Sequence, residues 1–596
     1  MKQFFKMTMA SILGFMVTIF LVIAITFVVF AAIIGMIASG VDQAPVTLKD
    51  KTWLYLDFKE SIVDRGNKDP FANFDFNTFN AVPQLGLNDI LQGLEKAAED
   101  DRITGIYLDM KVANAGFASM NEIRRALEVF KASGKPVKAY ADYMGQKAYF
   151  LATVADTISL NPAGGLELQG LSSQQMFYKQ ALEKLDVEVQ VIRHGKFKGA
   201  VEPFILEQMS PENKLQTSKY VTSLWDKMAA GMAEGRGITI QQIDQIADEL
   251  KLRSAKDAKD LHLVDQLSYR DEFISELKEL SETKKSAKLR KVRMSKYVRG
   301  LKKNDKKTKS NGSNQIAVVY ASGGISLGKS SYGVMGAETI SKAIVKAREN
   351  KKVKIIVLRV NSPGGSALAS DVIWREVELA KKVKPVVVSM GNLAASGGYY
   401  IACGANRILA DESTITGSIG VFGLMPNFKG LLNNKLGIST DTVNSNRHSD
   451  LGSGYRAMNA FEQGAIQASV ENVYSDFISK VAKGRSMSIE QVDEIGQGRV
   501  WIGKDALEIG LIDEFGGLDK SIEVAAKMAK IEDYSIVEYP QQKASFEALL
   551  ESWSEDMTHA SLKSVFGNDY RQYLKLRNTL EEKGVFARLP FDRLFE

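Results

Sequence analysis

The sequence predicts an α/β protein in which one domain occurs twice, behind an apolar helix. Residues 355–360 and 385–390 are strongly apolar runs, as expected for buried parallel strands. The runs lead into two glycine-rich turns, Asn361-Ser-Pro-Gly-Gly-Ser366 and, a few residues on, Ala394-Ala-Ser-Gly-Gly-Tyr399. Similar strand and helix patterns recur at an offset near 250 residues. Together these observations favour two related α/β domains with chemistry at the carboxyl end of one sheet.

The first element is the apolar segment 7–41, which contains no charged residue. It exceeds the ~20 residues that span a bilayer and the ~7–15 of a cleavable signal peptide. We therefore expect a retained transmembrane anchor. Lys2 and Lys6 precede the segment, and the positive-inside rule places them in the cytoplasm. The rest of the chain then lies on the far side of the membrane.

Length and composition indicate several ordinary globular domains. The chain has 596 residues, 25% of them charged, and a net charge of +6. Thirteen Lys and Arg residues fall within 284–309, and the remainder is slightly acidic, so nucleic-acid binding is not expected. Cys403 is the only cysteine, which excludes an intrachain disulfide and a cysteine-based zinc cluster.

The two halves match as strand–helix–strand units in the same order. Residues 104–110 match 354–360, and Tyr149-Phe-Leu-Ala152 matches Tyr399-Tyr-Ile-Ala402. A basic segment joins the halves. Its simplest interpretation is a solvated linker with one strand. The alternative is that its basic side chains bind anionic lipid headgroups. The last segment has no counterpart, and we expect helices near 546–553 and 570–582. The predicted divisions are an anchor at 1–41, a first domain at 42–283, a linker at 284–314, a second domain at 315–538 and an extension at 539–596.

The halves differ where chemistry is expected. In the second half, Ser396 lies between small residues, and the glycine pair at 364–365 can offer free backbone N–H groups. A nucleophilic hydroxyl beside backbone N–H donors is the minimum set of groups that catalyses acyl transfer. The first half has Gly145-Gln-Lys-Ala148 at the equivalent position and so lacks the serine.

A serine nucleophile needs a base, and the residues alone leave several candidates. None of the four histidines (His194, His262, His448, His559) lies in a glycine-rich turn, and Cys403 is expected to be a core residue. A lysine can act as the general base when burial lowers its pKa. Lys198 precedes small and apolar residues that permit close packing, and Lys196 is its competitor.

The motifs resemble those of the long form of bacterial signal peptide peptidase A, also called protease IV. The resemblance lies in Asn361-Ser-Pro-Gly-Gly-Ser366, the stretches 389–399 and 409–420, and Lys198-Gly-Ala-Val-Glu-Pro-Phe204. It covers about residues 50–535 and implies tandem ClpP/crotonase-like domains behind a transmembrane helix. It also implies Ser396 as nucleophile, Lys198 as general base and Ser418 as a hydrogen-bond partner of the lysine. The implied oxyanion donors are the N–H groups of Gly397 and of Gly364 or Gly365.

The resemblance implies a serine endopeptidase with a Ser–Lys dyad that degrades remnant signal peptides. Expected partners are apolar peptides, inner-membrane lipid and three further copies in a homotetramer, with the catalytic domains in the periplasm. No metal, cofactor or nucleic acid is expected. The alternatives are a catalytically silent peptide-binding scaffold and a crotonase-type enzyme acting on acyl thioesters. The latter would need an acidic residue at the reacting carbon, and the motifs provide none.

Overall fold

The computed structural model describes residues 2–41, 48–66, 74–75, 80–81, 84–305, 314–331, 333–542 and 585–588. Its first element is one continuous helix, α1 (Lys2–Val41). The stretch Lys6–Ile25 within it has a mean hydropathy of 2.5 and is not buried by any of the residues that the structure describes. By length and composition it can cross a bilayer, as the sequence predicts.

The first half alternates strands and helices. Its strands are β1 (Thr52–Leu56), β2 (Ser61–Val63), β3 (Phe74–Asp75), β4 (Asn80–Ala81), β5 (Gln84–Gly86), β6 (Ile103–Asp109), β7 (Val137–Met144), β8 (Thr157–Leu166), β9 (Glu188–His194), β10 (Gln266–Leu267) and β11 (Lys291–Arg293). Its helices are α2 (Leu87–Glu99), α3 (Phe117–Ala132), α4 (Gln146–Ala152), α5 (Lys179–Lys184), α6 (Glu202–Ile205), α7 (Pro211–Arg236), α8 (Ile240–Asp248), α9 (Ala255–Asp260), α10 (Arg270–Leu280) and α11 (Met294–Asp305). A 3₁₀ turn covers Gly199–Val201.

The second half repeats this plan. Its strands are β12 (Gln315–Ser322), β13 (Gly324–Ser326), β14 (Val334–Gly336), β15 (Val353–Ser362), β16 (Gly364–Ser366), β17 (Val386–Ala395), β18 (Arg407–Ala410), β19 (Ile415–Gly417), β20 (Val421–Asn427), β21 (Val500–Ile502), β22 (Glu514–Phe515), β23 (Ser535–Tyr539) and β24 (Val585–Arg588). Its helices are α12 (Ala337–Glu349), α13 (Ala367–Lys381), α14 (Gly397–Ala402), α15 (Ala460–Arg485), α16 (Ile489–Ile495), α17 (Gly503–Glu508) and α18 (Leu518–Ala529). A π-helical turn covers Leu431–Lys435.

Each half is organised around a mainly parallel sheet. The first sheet has the order β10-β8-β7-β6-β1-β11, and the second has the order β21-β19-β17-β15-β12-β23. In the second sheet β18 also pairs with β17, and β22 pairs with β18. Strand β17 is buried along its whole length, because helices cover both faces of the sheet. Helices α7 and α15, each 26 residues long, occupy equivalent places in the two halves. The predicted duplication of one α/β domain is therefore present.

A third sheet, in the order β14-β13-β16-β24-β20-β9, joins the halves. Strand β9 leaves the first half and pairs antiparallel with β20 of the second, from Val421 opposite His194 to Asn427 opposite Glu188. Strand β24 lies between β16 and β20 and is antiparallel to both. Strand β9 of the unit predicted at 42–283 therefore pairs with the unit predicted at 315–538.

The halves also share buried polar contacts. Arg359 of β15 is fully buried, and its guanidinium lies 2.8 Å from carboxylate oxygens of both Asp64 and Glu122 in the first half. Asn392 of β17 exchanges hydrogen bonds with Ser119. Burying a charge without a partner is costly, so these contacts strongly favour one relative placement of the halves.

The basic segment between the halves contains the one predicted strand and, beyond it, a helix that the solvated-linker interpretation did not predict. Strand β11 pairs in parallel with β1, and α11 packs against α2. Val292, Met294 and Val298 are buried, because apolar residues alternate with the basic ones at strand and helix spacing. The first folded unit therefore extends to at least residue 305.

The segment predicted as an extension contributes to two sheets. β23 pairs in parallel with β12, so its last residue, Tyr539, belongs to the second sheet. Val585–Arg588 forms β24. The helices predicted near 546–553 and 570–582 lie outside the described residues.

Candidate active site

Ser396 is the turn between β17 and α14. Its backbone has φ +56° and ψ −117°, a conformation that costs a non-glycine residue about 1–3 kcal/mol. The turn is held because the Ser396 N–H donates to the Gly417 carbonyl at 2.8 Å and the Tyr400 N–H donates to the Ser396 carbonyl at 2.9 Å. The serine is fully buried. The strained turn places its hydroxyl at the carboxyl end of the sheet, next to the first N–H groups of α14.

Lys198 comes to this hydroxyl from the other half of the same chain. Strand β9 ends at His194, and the following turn carries Lys198 to the carboxyl end of the second sheet. The Lys198 Nζ lies 2.8 Å from the Ser396 Oγ. The pairing of β9 with β20 therefore brings residues 198 positions apart into direct contact.

The surroundings of Lys198 favour a neutral amine. The side chain is 1% exposed, and burial lowers its pKa well below the ordinary value. Desolvation is the cause, and none of the carboxylates that the structure describes offsets it. A neutral lysine amine can accept a proton near neutral pH.

Ser418 supplies the remaining contacts of the lysine. It follows β19 with φ +51° and lies beside the Ser396 turn. The Lys198 Nζ donates to the Ser418 Oγ at 3.1 Å and approaches the Ser418 carbonyl oxygen at 3.3 Å. A neutral amine has two N–H donors and one lone pair. When both donors are directed at Ser418, the lone pair is available to the Ser396 hydroxyl.

The three predicted oxyanion glycines are placed differently. Gly397 is the first residue of α14, so its N–H has no acceptor within that helix. Gly364 and Gly365 are the first two residues of β16 and have φ of +96° and +155°. The Gly364 N–H donates to the Ser362 Oγ at 3.2 Å. A side chain at Gly365 would overlap the Ile325 carbonyl, 2.1 Å from an added Cβ, so this turn requires glycine.

The Asp64 carboxylate of the first half helps to hold the glycine turn in place through hydrogen bonds. The Asp64 carboxylate accepts from Arg359 and, at 2.7 Å, from the Asn361 side-chain amide. The Asn361 side-chain oxygen in turn accepts from the Leu393 N–H at 3.2 Å. One buried acid thereby links the glycine turn to β17, the strand that leads to Ser396.

Three residues that sequence reasoning missed hold the lysine. A Cβ added to Gly498 would come within 2.7–2.8 Å of the Lys198 backbone N, Cα and Cβ atoms. Gln216 donates to the Phe197 carbonyl and accepts from the Val500 N–H, both at 3.0 Å, which links the halves beside the lysine. The only sequence signal for Gly498 is the short motif Gly496-Gln-Gly498.

The third such residue is Glu202, which anchors the turn that follows the lysine. It is fully buried and accepts hydrogen bonds from the Ser210 N–H at 3.2 Å and from the Asn213 side-chain amide at 2.9 Å. We interpret Glu202 as a structural residue of the motif that begins at Lys198, because both of these hydrogen bonds are within the first half.

The other groups considered as base or nucleophile make their contacts away from the Ser396 hydroxyl. The His194 ring is 2.6 Å from a Glu471 oxygen and stacks on Tyr474. Lys196 is exposed beside the Phe197 ring. Cys403 is buried, and burial raises its pKa to about 12.

Of the remaining histidines, His448 pairs with a carboxylate of the second half, Glu462, at 2.8 Å. His262 lies in the first half, after α9, and His559 is outside the described residues. Among the described groups, Lys198 is the base candidate that contacts Ser396.

The fold and the family comparisons define a protease. The model of peptidase family S49 matches residues 129–284 and 378–532, one copy in each half, and the Clp protease model matches residues 307–415. The chain belongs to peptidase family S49, in the group of signal peptide peptidase A and protease 4. The crotonase-type alternative does not fit this membership.

Curated relatives cover most of the chain. Protease 4 of Salmonella typhi is 37% identical over 481 residues, which is 79% of this chain and 76% of that protein. The chloroplastic serine protease SPPA of Arabidopsis thaliana is 35% identical over 461 residues, which is 76% of this chain and 67% of that protein. A solved structure of a membrane-bound stomatin-specific protease with a substrate peptide is 18% identical, covers 41% of this chain and 98% of that chain, and has a TM-score of 0.26.

Proposed function

We propose that the chain is a membrane-anchored serine endopeptidase in which Ser396 and Lys198 form a catalytic dyad. The observation that carries the proposal is the 2.8 Å contact between the Ser396 Oγ and the Lys198 Nζ, both fully or almost fully buried. The chemistry follows from the groups around it. The neutral amine takes the serine proton, and the Oγ attacks the carbonyl carbon of a peptide bond.

The oxyanion that develops is stabilised by the Gly397 N–H and by an N–H of the pair Gly364 and Gly365. Because the Gly364 N–H donates to the Ser362 hydroxyl, this hydroxyl must rotate or move when Gly364 serves as the donor. The protonated lysine then gives its proton to the leaving amine, which departs and leaves an acyl-enzyme. Water, deprotonated by the same lysine, hydrolyses the ester and restores both groups.

We propose signal-peptide remnants as substrates, because the apolar helix α1 keeps the protease at the membrane where such peptides are left. Lys2 and Lys6 favour a cytoplasmic N-terminus, with the halves periplasmic at the inner membrane. Protease added to spheroplasts should digest both halves; protection of both halves in intact spheroplasts and digestion only after lysis would contradict this orientation. We also propose a homotetramer, which light scattering of the detergent-solubilised full chain would test; a monomeric mass would reject it.

The dyad is tested with the full-length protein and a synthetic apolar signal peptide. Ser396→Ala and Lys198→Met should each lower kcat at least about 1000-fold, because each removes one partner of the proton transfer. Lys196→Met is the matched control and should retain activity, since Lys196 is exposed and two residues away. Full activity in Lys198→Met would reject the proposed base. Binding without cleavage by the wild type would favour a silent scaffold.

A further inference from the structure

Strand β24 fills the groove between the two strands that lead away from the candidate active site. β16 follows directly after Ser362 and Pro363, and β20 begins three residues after Ser418. Their outer edges are taken by β13 and β9, and their inner edges face each other across β24. β24 also lies against α14, the helix that begins next to Ser396.

The backbone register defines how this segment lies in the groove. Gly364 is opposite Arg588, Gly365 is opposite Ala587 and Ser366 is opposite Phe586. On the other side, Phe422 is opposite Phe586 and Gly423 is opposite Val585. The segment is therefore an extended strand, antiparallel to both neighbours, with Arg588 in register with the first glycine of the proposed oxyanion turn.

We propose that residues 585–588 are an intramolecular occupant of the substrate groove and compete with peptide substrates. An extended peptide adds to a sheet through backbone hydrogen bonds and requires unpaired strand edges. The inner edges of β16 and β20 are such edges, and β24 uses both. The segment thereby protects two strand edges when no substrate is bound. This inference rests on the proposed peptidase function, because it assigns the groove to the substrate.

Competition by an attached segment is effective even when its own contacts are weak. Covalent linkage gives it an effective concentration that reaches the millimolar range for favourable linkers. A groove that is self-occupied for nine tenths of the time weakens the apparent affinity for substrate about tenfold. Occupancy therefore raises KM and leaves kcat unchanged once substrate has displaced β24.

The test uses Ala587→Pro in the full-length chain, with Ala587→Ser as the matched control. Proline lacks the N–H and is excluded from the interior of a sheet, so β24 cannot remain paired on both sides. Serine keeps the N–H. We expect Ala587→Pro to lower KM for an extended apolar peptide about tenfold at unchanged kcat, and Ala587→Ser to match the wild type. An unchanged KM in Ala587→Pro would overturn the proposal.

A binding measurement separates failure of this inference from failure of the proposed function. Each variant also carries Ser396→Ala, and the probe is a fluorescein-labelled Val-Phe-Ala-Arg peptide followed by anisotropy. The probe should bind about tenfold more tightly to the Ala587→Pro protein than to the Ala587→Ser protein, whether or not the wild type cleaves peptides. Equal affinity would overturn self-occupancy and leave the dyad unaffected. The probe Val-Phe-Pro-Arg should bind weakly to both, because it cannot complete the ladder.

Should Ala587→Pro fail to fold, the wild type supplies the readout. Acetyl-Val-Phe-Ala-Arg-amide should then inhibit cleavage competitively, and the Pro-containing peptide should inhibit at least about tenfold more weakly. Equal inhibition by both peptides, or none by either, would contradict a groove that holds this segment through its backbone.

Discussion

The equivalent turns of the two halves differ in backbone conformation as well as in side chains. Ser396 has φ +56°, whereas its equivalent in the first half, Gln146, has no positive φ and begins α4 directly after Gly145, which has φ −73°. The Gln146 side chain donates to the Gly170 carbonyl at 2.8 Å and accepts from the Gln169 N–H at 3.1 Å. Where no chemistry is expected, the turn is relaxed and its polar group is satisfied. Strain and a buried base candidate occur together in the second half.

A second comparison concerns position 109 and its equivalent, 359. Asp109 in the first half pairs within its own domain, with the partly exposed Arg270 and the Tyr55 hydroxyl. Arg359 is fully buried and pairs across the halves with Asp64 and Glu122. The equivalent strand position thus makes an internal contact in the first half and a contact between the halves in the second. The second contact favours the placement in which Lys198 of the first half lies beside Ser396 of the second.

The largest effect is expected from Gly498→Ala. This substitution tests how closely Lys198 of the first half must approach Ser396 of the second half. The added methyl overlaps the Lys198 backbone, so the lysine must move away from Ser396. Loss of a positioned base costs about 100–10,000-fold in kcat. Gly510→Ala is the control, because Gly510 also has positive φ but an added Cβ would meet only a flexible methionine end at 3.3 Å. Equal kcat in the two folded variants would contradict the assigned role of Gly498.

The second prediction compares the cross-half acid with its internal counterpart. Asp64→Ala leaves a fully buried guanidinium short of one partner, which should lower the free energy of unfolding by about 3–5 kcal/mol. Asp109→Ala should cost about 1–2 kcal/mol, since its partner Arg270 is partly exposed and keeps Asp142. Urea denaturation of both variants measures the difference. Similar losses would show that the halves are not coupled through Arg359.

The third prediction concerns the stability cost of the buried lysine. Burial lowers the folded-state pKa of Lys198, so at pH values between this pKa and the unfolded value of about 10.4 only the unfolded chain binds the proton. The free energy of unfolding of the wild type therefore rises with pH across that window. Lys198→Met removes the cost and should be more stable than the wild type at pH 7, with a difference that shrinks as the pH approaches 10.

Denaturation of both proteins at pH 7 and pH 9.5 checks this dependence. The exposed Lys196→Met variant serves as the reference and should change stability by less than about 0.5 kcal/mol at either pH. A Lys198→Met protein less stable than the wild type at pH 7 would mean that the lysine stabilises the fold. The same depressed pKa predicts that kcat/KM rises with pH until Lys198 is neutral.

The features that could be predicted from the sequence are those that produce a recognisable pattern within a short stretch of residues. The apolar helix, the duplication and the turns at the ends of β15 and β17 follow from hydrophobic runs and glycine spacing. The motif resemblance singled out Lys198, and the structure places it next to Ser396. The pairing of β9 with a strand of the second half could not be predicted. Residues 188–194 show the pattern of any half-buried strand, and strands that pair from distant parts of the chain leave no local signal. Gly498 escaped notice for the same reason: the atoms that require glycine there belong to Lys198, 300 positions earlier.

The smallest effect is expected at the first-half turn, where substitution tests whether the lost serine is what disables that half. Gln146→Ser restores a hydroxyl but leaves Gly145 in extended backbone, whereas the Lys198 amine contacts Ser396 and Ser418 of the second half. It should therefore change peptidase activity less than twofold and should not rescue Ser396→Ala. Hydrolysis of the signal peptide by the double variant is the measurement. Any rescue above about 1% of wild-type activity would mean that a second base serves the first half, with half-buried Lys147 the group to replace next. Without rescue, the backbone turn and the base matter more to this chemistry than the hydroxyl does.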